Sequence, residues 1–287
     1  KWGIPFIADF RDPWVGGHGQ YASAFLRRRE QALEREVCAG AARVILNTDE
    51  LRERFGATYP EFKHKFVTLT NGYAAELEAL YAGLQRTQTA DTAEKSPLDV
   101  CHFGTVYGNR SPIFLFQAVQ ELVLEGMLDA SQLRLRFVGS WDVLDSRREQ
   151  LVKNLEEKGL LRREPPVPHQ QCLQQMAQSD ILLILQQGYP LQIPAKIYEY
   201  LVAGRPLLVL GGEGATANLV ERHRLGQCCP NSVQEIKRTL MSFLADRTAL
   251  ASPASADTAQ FSYRVLAGKL GEIFSGVCME GQGKTRL

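Results

Sequence analysis

Short apolar runs alternate with helix-spaced polar stretches along this chain. Ile4-Pro-Phe-Ile-Ala8 reads as a strand opening into a polar loop, Asp9-Phe-Arg-Asp-Pro-Trp14. Residues 22–39 place charges at most outward positions of a helix. Arg43–Thr48 is a second strand, and Thr48 or Asp49 caps the helix after it, with Glu50 and Glu53 in its first turns. Phe66–Thr70 is a third strand, stopped by the turn pair Asn71-Gly72. Such strand–helix alternation predicts an α/β layer. Residues 84–97 are rich in Thr, lack apolar periodicity and read as a linker. A second series follows. Its predicted strands are Asp99–Thr105, Leu133–Gly139, Asp180–Leu185 and Leu207–Leu210, and its helices lie at 112–126, 143–159, 169–178, 232–247 and 262–275. Residues 279–287 read as a frayed tail. The predicted division is a first domain over 1–83, the linker 84–97, a second domain over 98–260, and a C-terminal helix and tail over 261–287.

The stretch from Ile193 to Leu210 is the most telling. Pro194 suits the first position of a short helix, and Gly204 suits the left-handed residue that ends one, with Pro206 preventing continuation. Leu207–Leu210 then reads as a strand covered on both faces. Lys196 and Glu199, three apart, share one helix face. A cation beside the free N–H groups of a helix start suits a phosphate, and a carboxylate one turn deeper suits a pair of sugar hydroxyls. The alternative reading is a solvated Lys196–Glu199 pair. Gly104-Thr-Val-Tyr-Gly-Asn-Arg-Ser-Pro112 follows a strand and opens a helix. Gly104 and Gly108 let backbone approach an anion, and Arg110 can fork onto two phosphate oxygens. Gly139 ends a strand where a base or ribose can lie close to backbone.

Composition narrows the classes. The 287 residues are 45% hydrophobic and 23% charged, ordinary for a soluble globular protein, and long enough to make two domains the default. Lys plus Arg is 33 against 32 for Asp plus Glu, so nothing argues for nucleic-acid binding over the whole surface. The six cysteines show no metal-ligand spacing and read as reduced residues of a cytoplasmic protein. His18, His64, His102 and His223 are scattered, so no metal site is indicated, and no apolar run of about 18 residues suggests a membrane span. Arg27-Arg-Arg29 point in different helical directions and make no continuous basic stripe. Gly212-Glu-Gly-Ala-Thr-Ala217 fits a dinucleotide fingerprint, but it follows a late strand, and no acid ends a strand about 20 residues on.

The Ile193–Leu210 segment resembles the donor-binding signature of GT-B glycosyltransferases, in particular retaining family four. That resemblance implies an α/β fold of two Rossmann-like domains facing each other across a cleft. Because Lys1-Trp-Gly-Ile-Pro-Phe-Ile-Ala-Asp9 runs straight into a strand, it also implies that the first domain is incomplete here. By the same resemblance the donor diphosphate takes Gly104, Thr105, Arg110 and Lys196, while Glu199, Gly139 and His169 serve the ribose and base. Tyr189 and Gln192 lie in the donor-sugar loop, and Asp9, Arg11 and Asp12 in the catalytic loop. In that loop Asp12 orients the acceptor and Arg11 neutralises departing phosphate; the alternative is an internal Arg11–Asp9 or Arg11–Asp12 ion pair. Trp14 either stacks on sugar or packs the loop. The family often carries a second glutamate where this chain has Leu191.

No cofactor and no metal are implied, only a nucleoside-diphosphate-sugar co-substrate. The acceptor is a glycan, a lipid-linked glycan or a small molecule, with peripheral contact at a membrane's inner face. The rival readings are a nucleotide-sugar epimerase of GT-B fold, which needs further acid/base groups, and a non-catalytic nucleotide-sugar-binding protein.

Overall fold

The computed structural model describes residues 4–16, 23–83, 96–142, 144–247 and 258–284. His18, linker residues 84–95 and tail residues 285–287 lie outside the described residues. The chain forms two compact units. The first comprises the described residues of Lys1–Ala75, Leu191–Ala195 and Ala259–Leu287; the second comprises those of Glu76–Pro190 and Lys196–Thr258.

The first unit is a parallel sheet of β1 (Ile7–Phe10), β2 (Arg43–Leu46) and β3 (Phe66–Thr68), in that order. β1 begins three residues later than its apolar pattern predicts. Pro5 has no N–H to give a ladder; pairing starts at Ile7 against Arg43, and Ile4 and Phe6 are exposed. Asp9 therefore stands on the strand rather than in the loop after it. Ser23 caps α1 (Ala24–Gly40), accepting from the Leu26 amide at 3.2 Å. Thr48, not Asp49, caps α2 (Asp49–Thr58), accepting from the Leu51 amide at 3.1 Å. The tail is not frayed where it is described: α10 (Tyr263–Lys284) continues through it, and Arg43 pairs with Glu280. Leu266 of this helix packs on Ile45 and Leu69 of the first unit.

The second unit is a six-stranded parallel sheet of β4 (Leu98–Phe103), β5 (Leu133–Val138), β6 (Leu161–Glu164), β7 (Ile181–Gln186), β8 (Leu207–Gly211) and β9 (Gly226–Cys229). The order is β6-β5-β4-β7-β8-β9, that of a doubly wound domain. Leu133, Leu135 and Phe137 alternate onto one face of β5, where they meet α4 (Ile113–Leu124), α5 (Ser146–Glu157) and α9 (Val233–Ala245). The remaining helices are α3 (Glu76–Gly83), α6 (His169–Gln178), α7 (Lys196–Val202) and α8 (Ala215–His223). Sequence pattern missed α3, β6 and β9. Both strands are sheet edges, Leu-Arg-Arg-Glu and Gly-Gln-Cys-Cys, without the continuous apolar run of a covered strand. Pro194 lies two residues before α7 rather than at its first position, whereas Gly204 does adopt the left-handed conformation, at φ +65°.

The alternate residues of β5 carry charge. Arg136 reaches Glu164 at 2.8 Å, Gln175 at 3.1 Å and Asp99 at 3.4 Å, with its side chain 15% exposed; Arg134 also holds Asp99, at 2.9 Å. Removing Arg136 leaves Glu164 with the exposed Arg162, at 3.4 Å, while Asp99 keeps Arg134. We expect Arg136→Met to cost about 2 kcal/mol, the loss of its charge-assisted hydrogen bonds, in a urea unfolding experiment at pH 7. Its hydrogen bond from Arg136 holds the Glu164 carboxyl below its ordinary value of 4.5. A depressed carboxylate stabilises the native state above its unfolded pKa, and that contribution is lost as pH falls through the folded one. The gap between wild type and variant should therefore narrow on acidification below the carboxylate range.

Candidate functional site

In an open parallel sheet, ligands sit beyond the carboxyl ends of the strands where the strand order reverses. Here that point lies between β4 and β7. Three loops leave the sheet there: Gly104–Pro112 after β4, Gly139–Asp142 after β5 and Gln187–Pro190 after β7.

Two glycines let these loops close on one another. Gly139 has φ +149°, and a Cβ on it would lie 2.2 Å from the Gly104 carbonyl oxygen. Loop-on-loop packing by itself requires a glycine at this position. Gly104 has φ +122°, and a Cβ there would lie 2.6 Å from Lys196 Nζ. The gap left by its missing side chain is filled by the Lys196 ammonium.

Lys196, the first residue of α7, does not pair with Glu199. Its Nζ donates to the Phe103 carbonyl at 2.8 Å and faces His102 Nε2 at 3.4 Å. Burial, with the Arg110 charge second, lowers its pKa to about 8. Arg110 is held by neutral partners as well. Nη1 donates to the Tyr107 hydroxyl at 2.9 Å, and the guanidinium lies 4.8 Å from the Tyr189 ring centroid and 5.6 Å from that of Tyr107. Arg110 Nε is buried without a hydrogen-bond partner. Among the described residues, no carboxylate forms a salt bridge with either cation. Thr105 is exposed beside Gly104. Two cations that repel one another, each oriented by uncharged groups, make a receptor for an anion.

Glu199 faces elsewhere. Its Oε1 lies 3.0 Å from Nε2 of His169, the first residue of α6, whose side chain does not cap its helix. Tyr81 of α3 packs nearby. Burial, with the Glu199 charge second, pushes its hydroxyl pKa well up. In the glycine-rich turn before α8, the Ala215 amide donates to the Pro190 carbonyl at 2.7 Å.

The predicted catalytic loop belongs to the first unit and is internally tied. Arg11 donates to Asp9 Oδ2 through Nε at 3.0 Å and Nη2 at 2.7 Å, and through Nη1 to the Leu69 carbonyl at 3.1 Å and the Thr70 carbonyl at 3.3 Å. The internal ion pair is thus the observed arrangement, and it anchors the loop on the carboxyl end of β3. Asp12 accepts from Gln192 Nε2 at 2.9 Å. Gln192 thereby belongs to the first unit, while Tyr189 of the same loop belongs to the second. Leu191 packs against the same unit's core, and its carbonyl accepts from the Thr48 hydroxyl at 2.8 Å. Trp14 packs on Phe10 and donates to Glu30.

Sequence reasoning assembled Gly104, Arg110, Lys196 and Tyr189 in one place but missed His102, Tyr107 and Tyr81. His102 is one of several scattered histidines in the sequence, and its place at the end of an apolar strand before a glycine turn is the signal that sets it apart. Among the described residues, no cluster of His, Cys, Asp and Glu could hold a metal ion, and no helix is long and apolar enough to cross a membrane.

The sequence matches no family model and no curated protein. Solved structures do resemble the fold. HepE of Anabaena, solved with UDP, aligns over 95% of this chain and 72% of its own, with a TM-score of 0.68 at 16% identity. A glycosyltransferase from Rickettsia africae aligns over 95% of this chain and 70% of its own (TM-score 0.65, 14% identity). Sucrose-phosphate synthase from Thermosynechococcus elongatus aligns over 96% and 68% (TM-score 0.67, 14% identity). These neighbours are GT-B glycosyltransferases, and the chain has their fold.

Proposed function

We propose that this chain is a glycosyltransferase that moves a sugar from a nucleoside-diphosphate-sugar donor to a glycan, lipid-linked or small-molecule acceptor, with retention and without a metal. One observation carries the reading: Lys196 and Arg110, two cations without a salt-bridge partner among the described residues, stand at the switch point of a doubly wound sheet. A diphosphate supplies the missing charge. As the sugar–phosphate bond breaks, negative charge grows on the leaving diphosphate, so cations fixed in advance stabilise the transition state more than the ground state. In this reading Glu199 exchanges His169 for ribose hydroxyls. Asp12, held by Gln192, is the first unit's carboxylate for an acceptor hydroxyl, and Arg11 holds the loop that carries it. HepE has been solved with UDP and with UDP-glucose, which supports a uridine diphosphate donor as the first to try.

Leu191 favours a second reading, a nucleotide-sugar-binding protein without turnover. Its apolar side chain packs into the first unit's core where relatives often carry a donor-contacting glutamate. Incubation with UDP-, GDP-, ADP- and dTDP-sugars and a panel of acceptors separates the two. Release of nucleoside diphosphate that depends on an acceptor, with an axial or equatorial product linkage matching the donor's, supports retaining transfer. Donor binding without release under every acceptor leaves the binding protein.

The Lys196 ammonium also sets a pH profile. Free Lys196 loses its proton above about pH 8, and a bound diphosphate opposes that loss. Affinity for the nucleotide should hold steady from pH 7 to 8 and then fall by up to about tenfold per pH unit, as read by calorimetry. The sign for folding is the reverse. The unfolded lysine keeps its proton up to about 10.5, so the cost of holding Lys196 charged is full below pH 8 and is relieved between pH 8 and 10.5.

A further inference from the structure

Buried in the second unit, the His102 imidazole is 2% exposed, and nothing in the proposed transfer uses it. Its Nδ1 lies 2.9 Å from the Leu183 carbonyl. A carbonyl only accepts, so Nδ1 carries the hydrogen and Nε2 is a bare lone pair. That lone pair points at Lys196 Nζ, 3.4 Å away. The second acceptor for the ammonium, the Phe103 carbonyl, is the next residue of the same strand end; the Phe103 amide donates to the Tyr200 hydroxyl at 2.9 Å. Phe137 packs against the imidazole at 5.5 Å between centroids, which fixes the ring plane.

We propose that His102 is a positioning residue for the anion-binding lysine: a permanently neutral imidazole, locked in one tautomer by Leu183, that holds the Lys196 ammonium in the gap over Gly104.

The alternative of a protonated His102 fails on the surroundings. The groups facing it and Lys196 are the Lys196 and Arg110 cations and, from α6, the Cys172 thiol; no carboxylate among the described residues pairs with any of them. Burial and the neighbouring Lys196 charge lower the imidazole pKa to about 3. An imidazole that cannot charge is suited to this place. It accepts from a cation without ever competing with it for the phosphate, and a carboxylate there would neutralise the site before the ligand arrived. A glutamine at position 102 can present an oxygen close to where Nε2 sits, whereas a leucine fills the volume and accepts nothing.

The functional consequence rests on the diphosphate reading, but the contact is measurable without any nucleotide. In protein labelled with 13C-lysine, the Lys196 side-chain carbon is assigned by its absence in Lys196→Met and then titrated. Losing one acceptor for a charged donor should move the Lys196 titration in His102→Leu down by about one pH unit, about tenfold in proton affinity, while His102→Gln stays near wild type. Nucleotide affinity at pH 8 should fall roughly fivefold further in the leucine variant as the protonated fraction drops. An unchanged titration in folded His102→Leu overturns the proposal, as does an equal shift in the leucine and glutamine variants. Should the leucine variant fail to fold, the 15N spectrum of wild-type His102 decides. A hydrogen on Nδ1 and a bare Nε2, persisting to pH 5, are required; a hydrogen on Nε2 overturns the assignment. A Lys196 titration that shifts as expected in a protein that binds no nucleotide would sustain the contact and refute the diphosphate reading.

Discussion

Replacing Lys196 by methionine should weaken nucleoside diphosphate binding at least tenfold, about 1.4 kcal/mol or more, without lowering thermal stability at pH 7, where the folded protein bears the cost of the buried charge. The size follows from what the ammonium does. It is half-buried, fixed by the Phe103 carbonyl at 2.8 Å and by His102, and it has no carboxylate to which it would return when the ligand leaves. Its rotamer is set before binding, so little ordering entropy offsets the charge-assisted hydrogen bonds it makes. Methionine keeps the apolar stem and removes the charge alone. Arg110→Ala should weaken binding comparably, with a second signature. Because the Arg110 charge helps to lower the Lys196 pKa, its removal should move the high-pH loss of affinity above about pH 8. A solvated surface arginine would leave that profile in place.

A large stability effect should come from Gly139→Ala. Alanine is strained at φ +149° whatever the space around it, and its Cβ would sit 2.2 Å from the backbone oxygen of Gly104, a contact no side-chain rotation relieves. We expect a loss of about 3 kcal/mol or more, a fall in Tm on the order of 6–12 °C for a unit of this size, and weaker nucleotide binding in the protein that remains folded, because the Gly104 loop must shift. Gly126→Ala separates backbone strain from collision. It has φ +70° with open space where a Cβ would go, and should cost only about 1 kcal/mol. Equal losses in the two variants would show that loop packing at Gly139 does not matter.

Much of this was legible in the chain, and the exceptions have physical reasons. The covered strands β4, β5, β7 and β8 announce themselves by continuous or alternating apolar runs, since each buries at least one face in a large core. β6 and β9 do not, because a rim strand leaves polar side chains in water and so resembles a loop. β1 misleads in the other direction: Ile4 and Phe6 look like strand residues yet are exposed, while the ladder waits for Ile7. In the site, Lys196 and Arg110 stood out because a cation next to a glycine turn or helix start is a local pattern. Their partners are not local. His102 reaches Lys196 across 94 residues, and Tyr189 lies under Arg110 from another loop, so only the folded sheet brings them together. Arg11 shows the converse. Its nearness to two carboxylates was readable, but which one it chooses, and its bonds to the carbonyls of Leu69 and Thr70, depend on β3 lying beside it through β2.

Calorimetric titration of UDP, GDP, ADP and dTDP into the wild-type chain decides whether Lys196 and Arg110 form an anion site. The predicted result is saturable binding of one of these nucleotides, weakened at least tenfold in Lys196→Met and in Arg110→Ala. Protein that is folded by circular dichroism and binds none of the four, or binds one equally well without Lys196 and Arg110, would contradict it.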